Sequence, residues 1–162
     1  MAFIFGKLRL TKHVCAEIKH IPYLNFTHNT VELRGMSSEA EKAERAKYEK
    51  GRETVFDQII SRKLHADIIF EDEHCLAFND VNPQAPVHFL VIPKRRIPML
   101  DDATEDDKDL LSQLLLTAKS LAKKRMPNGY RLVINNGKDG CQSVYHLHVH
   151  VLGGRRMHWP PG

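Results

Sequence analysis

From residue 54 onward the apolar residues keep clear periods, whereas before it they do not. Val55, Phe56, Ile59 and Ile60 recur at helical spacing and predict a short helix. Residues 66–71 and 75–80 are apolar runs rich in strand-forming side chains; joined by Asp72-Glu73-His74, they read as a hairpin. Pro83 and Pro86 punctuate a loop, and residues 87–92 give a third strand ended by Pro93. Thr104-Glu105-Asp106-Asp107 has the form of a helix cap with acids in the first turn. The long amphipathic helix expected after it carries Leu110, Leu114, Leu115, Ala118 and Leu121, with basic residues at its end. Residues 130–135 and 143–152 supply a fourth and a fifth strand. The order α-β-β-β-α-β-β predicts an α+β domain over residues 54–162, with a five-stranded, mainly antiparallel sheet and two helices.

The first 53 residues read as an N-terminal extension. Residues 1–35 mix apolar and basic positions without a period, and Glu17 and Glu32 are out of place in an organellar presequence. Lys7, Arg9 and Lys12 interrupt the apolar start that a secretory signal needs. Met36, followed by Ser37-Ser38-Glu39, has the look of an alternative start. Residues 37–53 alternate acids and bases around alanine, which suggests a solvated, transiently helical arm.

Charge and composition narrow the function. The chain of 162 residues carries a formal net charge of +4, but residues 1–35 hold five Lys/Arg against two Glu, or +3 of it. The rest is nearly neutral, its short basic clusters lack interleaved aromatics, and no direct nucleic-acid binding is expected. No apolar run approaches the ~20 residues that span a bilayer. Three cysteines without a framework spacing suit a reducing compartment. The expected location is the cytosol with access to the nucleus, or the mitochondrion if residues 1–35 act as a presequence.

The candidate chemistry lies in the fifth strand, Tyr145-His146-Leu147-His148-Val149-His150-Val151-Leu152. A strand turns successive side chains to opposite faces, so three imidazoles share one face while Leu147, Val149 and Val151 can enter a core. A surface strand with incidental histidines is one reading. A metal site is a second, but His146 and His150 stand roughly 13 Å apart on a regular strand, too far for one ion to take all three. In the third, one imidazole attacks while its neighbours hold charge and move protons. The turn-rich loop upstream, Asn135 through Ser143, could aim N–H groups at an anion, which favours phosphorus chemistry.

The run His146-Leu147-His148-Val149-His150-Val151-Leu152 resembles the histidine triad pattern. Ile69-Phe70-Glu71-Asp72, Pro83-Gln84-Ala85-Pro86, His88-Phe89-Leu90-Val91-Ile92-Pro93-Lys94 and the ending Trp159-Pro160-Pro161-Gly162 are similar to the Hint branch, the histidine triad nucleotide-binding proteins. The resemblance implies a HIT-like fold whose sheets pair across a homodimer, and a purine nucleoside phosphoramidase. His148 would attack the α-phosphorus of an AMP–amine or AMP–lysine type of substrate, or a GMP counterpart, and form a nucleotidyl-histidine. It further implies that His146 orients the second nitrogen of His148, that His150 contacts phosphate oxygens, and that His88 lies beside the triad.

By the same resemblance Ser143 meets the phosphate or leaving group, while Asn135, Cys141 and Gln142 contact the nucleotide. Asp80 holds the ribose hydroxyls with Val81 next to it, and Phe56, Ile59, Phe78 and Leu90 wall the base. Two positions depart from the family. Cys141 stands where glycine is usual, at a cost if that residue needs positive φ. Asn79 replaces the usual histidine, with an expected effect on base contacts. No cofactor or metal is expected. A nucleotide-binding scaffold with its own protein partners, and a dinucleoside polyphosphate hydrolase, are the competing functions.

Overall fold

The computed structural model describes residues 39–46, 48 and 51–161. The expectations for residues 1–35 lie outside the described residues. Within the arm, Glu39–Arg45 forms a helix, α1. Helix α2, Val55–Ile60, opens on a reciprocal cap in which Thr54 and Asp57 satisfy each other's backbone N–H groups.

Five strands follow the expected order: β1 Ile68–Glu71, β2 Cys75–Asn79, β3 Val87–Pro93, β4 Tyr130–Val133 and β5 Val149–Gly153. They form one antiparallel sheet with the neighbour order β1-β2-β3-β5-β4. Between β3 and β4 runs α3, Lys108–Arg125, entered through a turn whose Thr104 N–H and hydroxyl both donate to the Asp107 carboxylate. Among the described residues no helix is long and apolar enough to cross a membrane.

The two faces of the sheet have different tasks. Cys75, Ala77, Phe89, Val91, Leu147, Val149 and Val151 point to one side and pack on Leu114, Ala118, Ala122 and Met126 of the α3 region. Each fully buried aliphatic or aromatic side chain of this set contributes about 1.5–3 kcal/mol. Leu115, expected on the buried face of α3, is exposed; the buried stripe runs through Leu114, Thr117, Ala118 and Ala122 instead. The opposite side is covered only in part, by Phe56 and Ile59 of α2 packing on Leu76, Phe78, Leu90 and Ile92. What α2 leaves uncovered becomes the site.

The fifth strand is shorter than its alternating pattern suggests, because pairing with β3 runs only from Val91↔Val149 to Val87↔Gly153. Before Val149 the chain leaves the ladder: the Leu147 N–H donates to the carbonyl of Ile97, beyond β3, at 2.6 Å. At the end of β3 the ring of His146, not its backbone, meets the Pro93 carbonyl at 2.8 Å. The side chains still alternate, so the apolar three reach the core although His146 and His148 lie outside the strand.

Candidate active site

A cavity of about 390 Å³ opens on the half-covered face. Its apolar wall is Phe56, Ile59, Phe78, Leu90 and Val144, and its polar end holds Ser143, Asp80, His148 and His150. The volume suits a small organic ligand. Val81 stands at the mouth, almost wholly exposed. A second cavity of about 260 Å³ adjoins it, sharing Val55, Ser143 and Val144.

His148 is nearly buried and its ring is held edge-on to Phe56, with centroids 5.2 Å apart. Its Nδ1 lies 2.7 Å from the backbone carbonyl of His146. A carbonyl only accepts, so the proton is on Nδ1, and in the neutral ring the lone pair falls on Nε2. That leaves a nitrogen lone pair as the reactive feature of the buried imidazole.

The same bookkeeping of donors settles the neighbouring pair. The Gln84 N–H donates to His88 Nδ1 at 3.1 Å, which leaves the His88 proton on Nε2. That Nε2 is 2.9 Å from His150 Nδ1, so His150 accepts there and carries its own proton on Nε2. Asp80 stands beside the relay, one carboxylate oxygen 3.5 Å from His88 Nε2 and the other accepting from the Asn82 N–H at 2.8 Å. Asp80, His88 and His150 each bring one donor atom to within 4.8 Å of the others, a set that a divalent cation could use. The same atoms are engaged with one another in the contacts just described.

His146 is different. Its ring is fully buried behind the site and lines neither cavity. Nε2 donates to the Pro93 carbonyl, while Nδ1 faces Asp57 Oδ1 at 3.4 Å without forming a hydrogen bond. Burial pushes His146 below the ordinary histidine range, against the opposing pull of the Pro93 carbonyl and the Asp57 carboxylate. Asp57 is pushed up by its own burial, but the Thr54 donors, His146 and Arg96 outweigh that and hold it below the usual carboxylate range. Arg96 completes this group by donating to the carbonyls of Arg52 at 2.6 Å and Tyr145 at 3.3 Å. The Thr54–Asp57 cap of α2 thus also steadies the approach to the histidines. The spacing Thr54-x-x-Asp57 carries that signal in the sequence, where the apolar spacing of α2 overshadowed it.

Several expected contacts fall elsewhere. For His146, the atom that meets the second nitrogen of His148 is its carbonyl oxygen and not its ring. Gln142 is buried and pins the loop, donating to the carbonyls of Pro98 at 2.7 Å and Val144 at 3.1 Å and accepting from the Gly137 N–H at 3.0 Å. Its side chain is therefore committed within the protein. Asn135 does not line either cavity; its Nδ2 donates to the Cys141 carbonyl at 3.3 Å.

The Cys141 N–H is likewise taken, donating to the Lys138 carbonyl at 2.9 Å. Cys141 sits at φ 58, the left-handed conformation that favours the glycine usual in the family. Asn79, on the parity of Cys75 and Ala77, turns away from the cavity and accepts from Arg125 at 2.9 Å, so it does not touch the apolar wall. Cys75, on the α3 face, has its thiol pushed up to about 11, mainly by burial, which makes it a poor nucleophile.

Comparison with known proteins shows the family and the fold. The HIT domain family matches residues 61–157. A HIT-like protein of Synechococcus elongatus is 56% identical over 111 residues, which are 68% of this chain and 97% of that protein. The adenylylsulfatase HINT1 of Arabidopsis thaliana is 53% identical over 112 residues, 67% of this chain and 76% of that one. Among solved structures, a HIT family hydrolase from Legionella pneumophila superposes with a TM-score of 0.66 at 46% identity, covering 68% of this chain and all of its own.

Proposed function

The chain belongs to the HIT domain family, and from that membership we propose that it is a hydrolase of nucleoside 5'-monophosphoramidates, with purine nucleotides bound in the 390 Å³ cavity. The observation that carries the reading is the His148 Nδ1–carbonyl bond, because it leaves the lone pair on Nε2 of a ring that lines that cavity. In the proposed reaction the Nε2 lone pair attacks the α-phosphorus and the P–N bond breaks. The departing amine takes up a proton. Water then attacks the nucleotidyl-histidine, the phosphorus–imidazole bond breaks, and the nucleoside monophosphate leaves as His148 returns to its starting form.

His150, with its proton on Nε2 by virtue of the His88 relay, is suited to donate to a phosphoryl oxygen, and Ser143 offers a hydroxyl on the same side. Asp80 is placed for ribose hydroxyls, and the Phe56–Ile59–Phe78–Leu90 wall for the base. We take residues 54–162 as the catalytic unit and residues 1–53 as its extension.

A second reading keeps the same attack but exchanges the leaving group: the Arabidopsis relative is named an adenylylsulfatase, so an adenosine phosphosulfate would release sulfate in place of an amine. One experiment covers both. Quenched reactions with an adenosine phosphoramidate and with adenylylsulfate are examined by mass spectrometry for a nucleotidyl adduct, in the wild type and in His148→Ala. An adduct on His148 and a loss of turnover of at least about 10³-fold in the variant are expected. Steady turnover in His148→Ala would remove the reading. The substrate giving the larger kcat/KM identifies the leaving group.

A further inference from the structure

The family match begins at residue 61, yet α1, Glu39–Arg45, lies well before it and beside the cavity. An isolated helix of 7 residues does not hold together in water, so its position reports what it docks against. Ala43 is buried, at 4% exposure. The Glu44 carboxylate is 3.1 Å from Lys138 Nζ, on the loop that leads to Ser143. Just past the helix, the Tyr48 and Tyr145 rings approach to 5.7 Å between centroids.

Two contacts from successive parts of the arm, Glu44–Lys138 and Tyr48–Tyr145, therefore fall on one stretch, the loop and the segment entering the triad. Lys42 lines the larger cavity with Ser143, His148 and His150, while Arg45 and Ala46 line the smaller one. Lys42 and Arg45 are three residues apart and share one helical face.

We infer that α1 is a roof over the phosphate end of the nucleotide site and that the Lys42 ammonium contacts the phosphoryl oxygens. The inference rests on the nucleotide reading above. Among the described residues lining the larger cavity, Lys42 is the sole lysine or arginine. The part of the cavity assigned to the base is apolar, whereas the end carrying Ser143, His148 and His150 is where negative charge would collect. Lys42 as a residue is half-buried, and a charge held partly out of open water is worth more to an anion. The exposed Glu44–Lys138 pair adds little energy of its own and serves to mark where the arm lies.

Calorimetric titration of the full chain with AMP and with adenosine tests this. Lys42→Gln is expected to weaken AMP binding by about five- to tenfold and to leave adenosine within about twofold. Lys42→Arg, which keeps the charge, stays within about threefold of the wild type for AMP. Ala43→Glu forces a charge into the buried contact of α1 without touching the sheet, and should reproduce the AMP-selective loss. An unchanged AMP affinity in Lys42→Gln, an equal loss for both ligands, or wild-type behaviour of Ala43→Glu overturns the roof. A wild-type chain that binds neither ligand overturns the nucleotide reading itself, whereas one that binds AMP regardless of position 42 overturns only this inference.

Discussion

The Nδ1 of His148 donates to the main-chain carbonyl of His146, 2.7 Å away. The middle ring is thus oriented by the backbone two residues before it, and the ring of His146 is released for another task, at 2.8 Å from the Pro93 carbonyl. Chemistry and structural support share a residue but not an atom.

Substitution at position 146 should therefore affect stability before it affects chemistry. His146→Gln loses the ring's fit between Pro93 and Asp57, at a cost of about 1–3 kcal/mol in urea denaturation. Turnover, with the carbonyl still in place, should fall less than in His148→Ala. The pH dependence follows from the depressed affinity of His146 for a proton. Folded protein refuses at this ring a proton that the unfolded chain accepts near pH ~6.5. Stability from this group is complete above that value and is lost as the pH falls below it. Urea midpoints at pH 7.5 and 5.5 should differ less in His146→Gln than in the wild type; equal differences would shift the effect to other histidines.

His88 acts through His150. Gln84 fixes the His88 tautomer, and the His88 Nε2 proton then fixes His150, so His88→Ala removes the donor that holds the His150 proton on Nε2. A loss in kcat of about 10–100-fold is expected, the range typical for partners that orient a working histidine. A purely structural role would lower stability alone. The discriminating measurement is the pH–rate profile, which should shift in His88→Ala; an unmoved profile would make His88 a packing residue.

Much of this could be read from the chain, and the failures have physical causes. Alternation placed Leu147, Val149 and Val151 in the core and the histidines opposite, because side-chain direction survives even where the hydrogen-bonded ladder stops. The ladder's end was hidden: it depends on the Pro93 carbonyl being met by an imidazole and on Ile97 capturing Leu147, both long-range events. Leu115 went astray because a helix with leucines at three consecutive positions, 114 to 116, leaves its buried stripe undetermined until the sheet is in place. Gln142 is expected to contact the nucleotide because its loop flanks the triad, yet its side chain serves the loop. The docking of the arm left no trace in the pattern of residues 37–53, where among the described residues Ala43 is the one that is buried.

Cys141 offers a gain. At φ 58 a side chain is strained, and its N–H already donates within the turn, so glycine fits the backbone without losing a bond. Relief of the left-handed strain, offset in part by glycine's greater freedom when unfolded, should leave Cys141→Gly more stable by about 0.5–1 kcal/mol. A raised urea midpoint checks it. A lowered one would mean that the thiol makes a contact worth more than the strain.

Assembly supplies the remaining prediction. Strand β4 is one of the two edges of the sheet, paired only with β5, and Leu115, Leu116 and Trp159 are all exposed. Exposed long apolar side chains and an open strand edge are each a liability for a lone chain, and a second copy covering them is the simplest remedy. The 162-residue chain should therefore sediment at about twice its 18.6 kDa. Leu116→Asp, which places a charge on the exposed face of α3 and spares the core, should sediment as a single chain with its far-ultraviolet spectrum intact. A wild type that stays monomeric at micromolar concentration would defeat the pairing of sheets across a homodimer, and would leave the exposed leucines to some other surface.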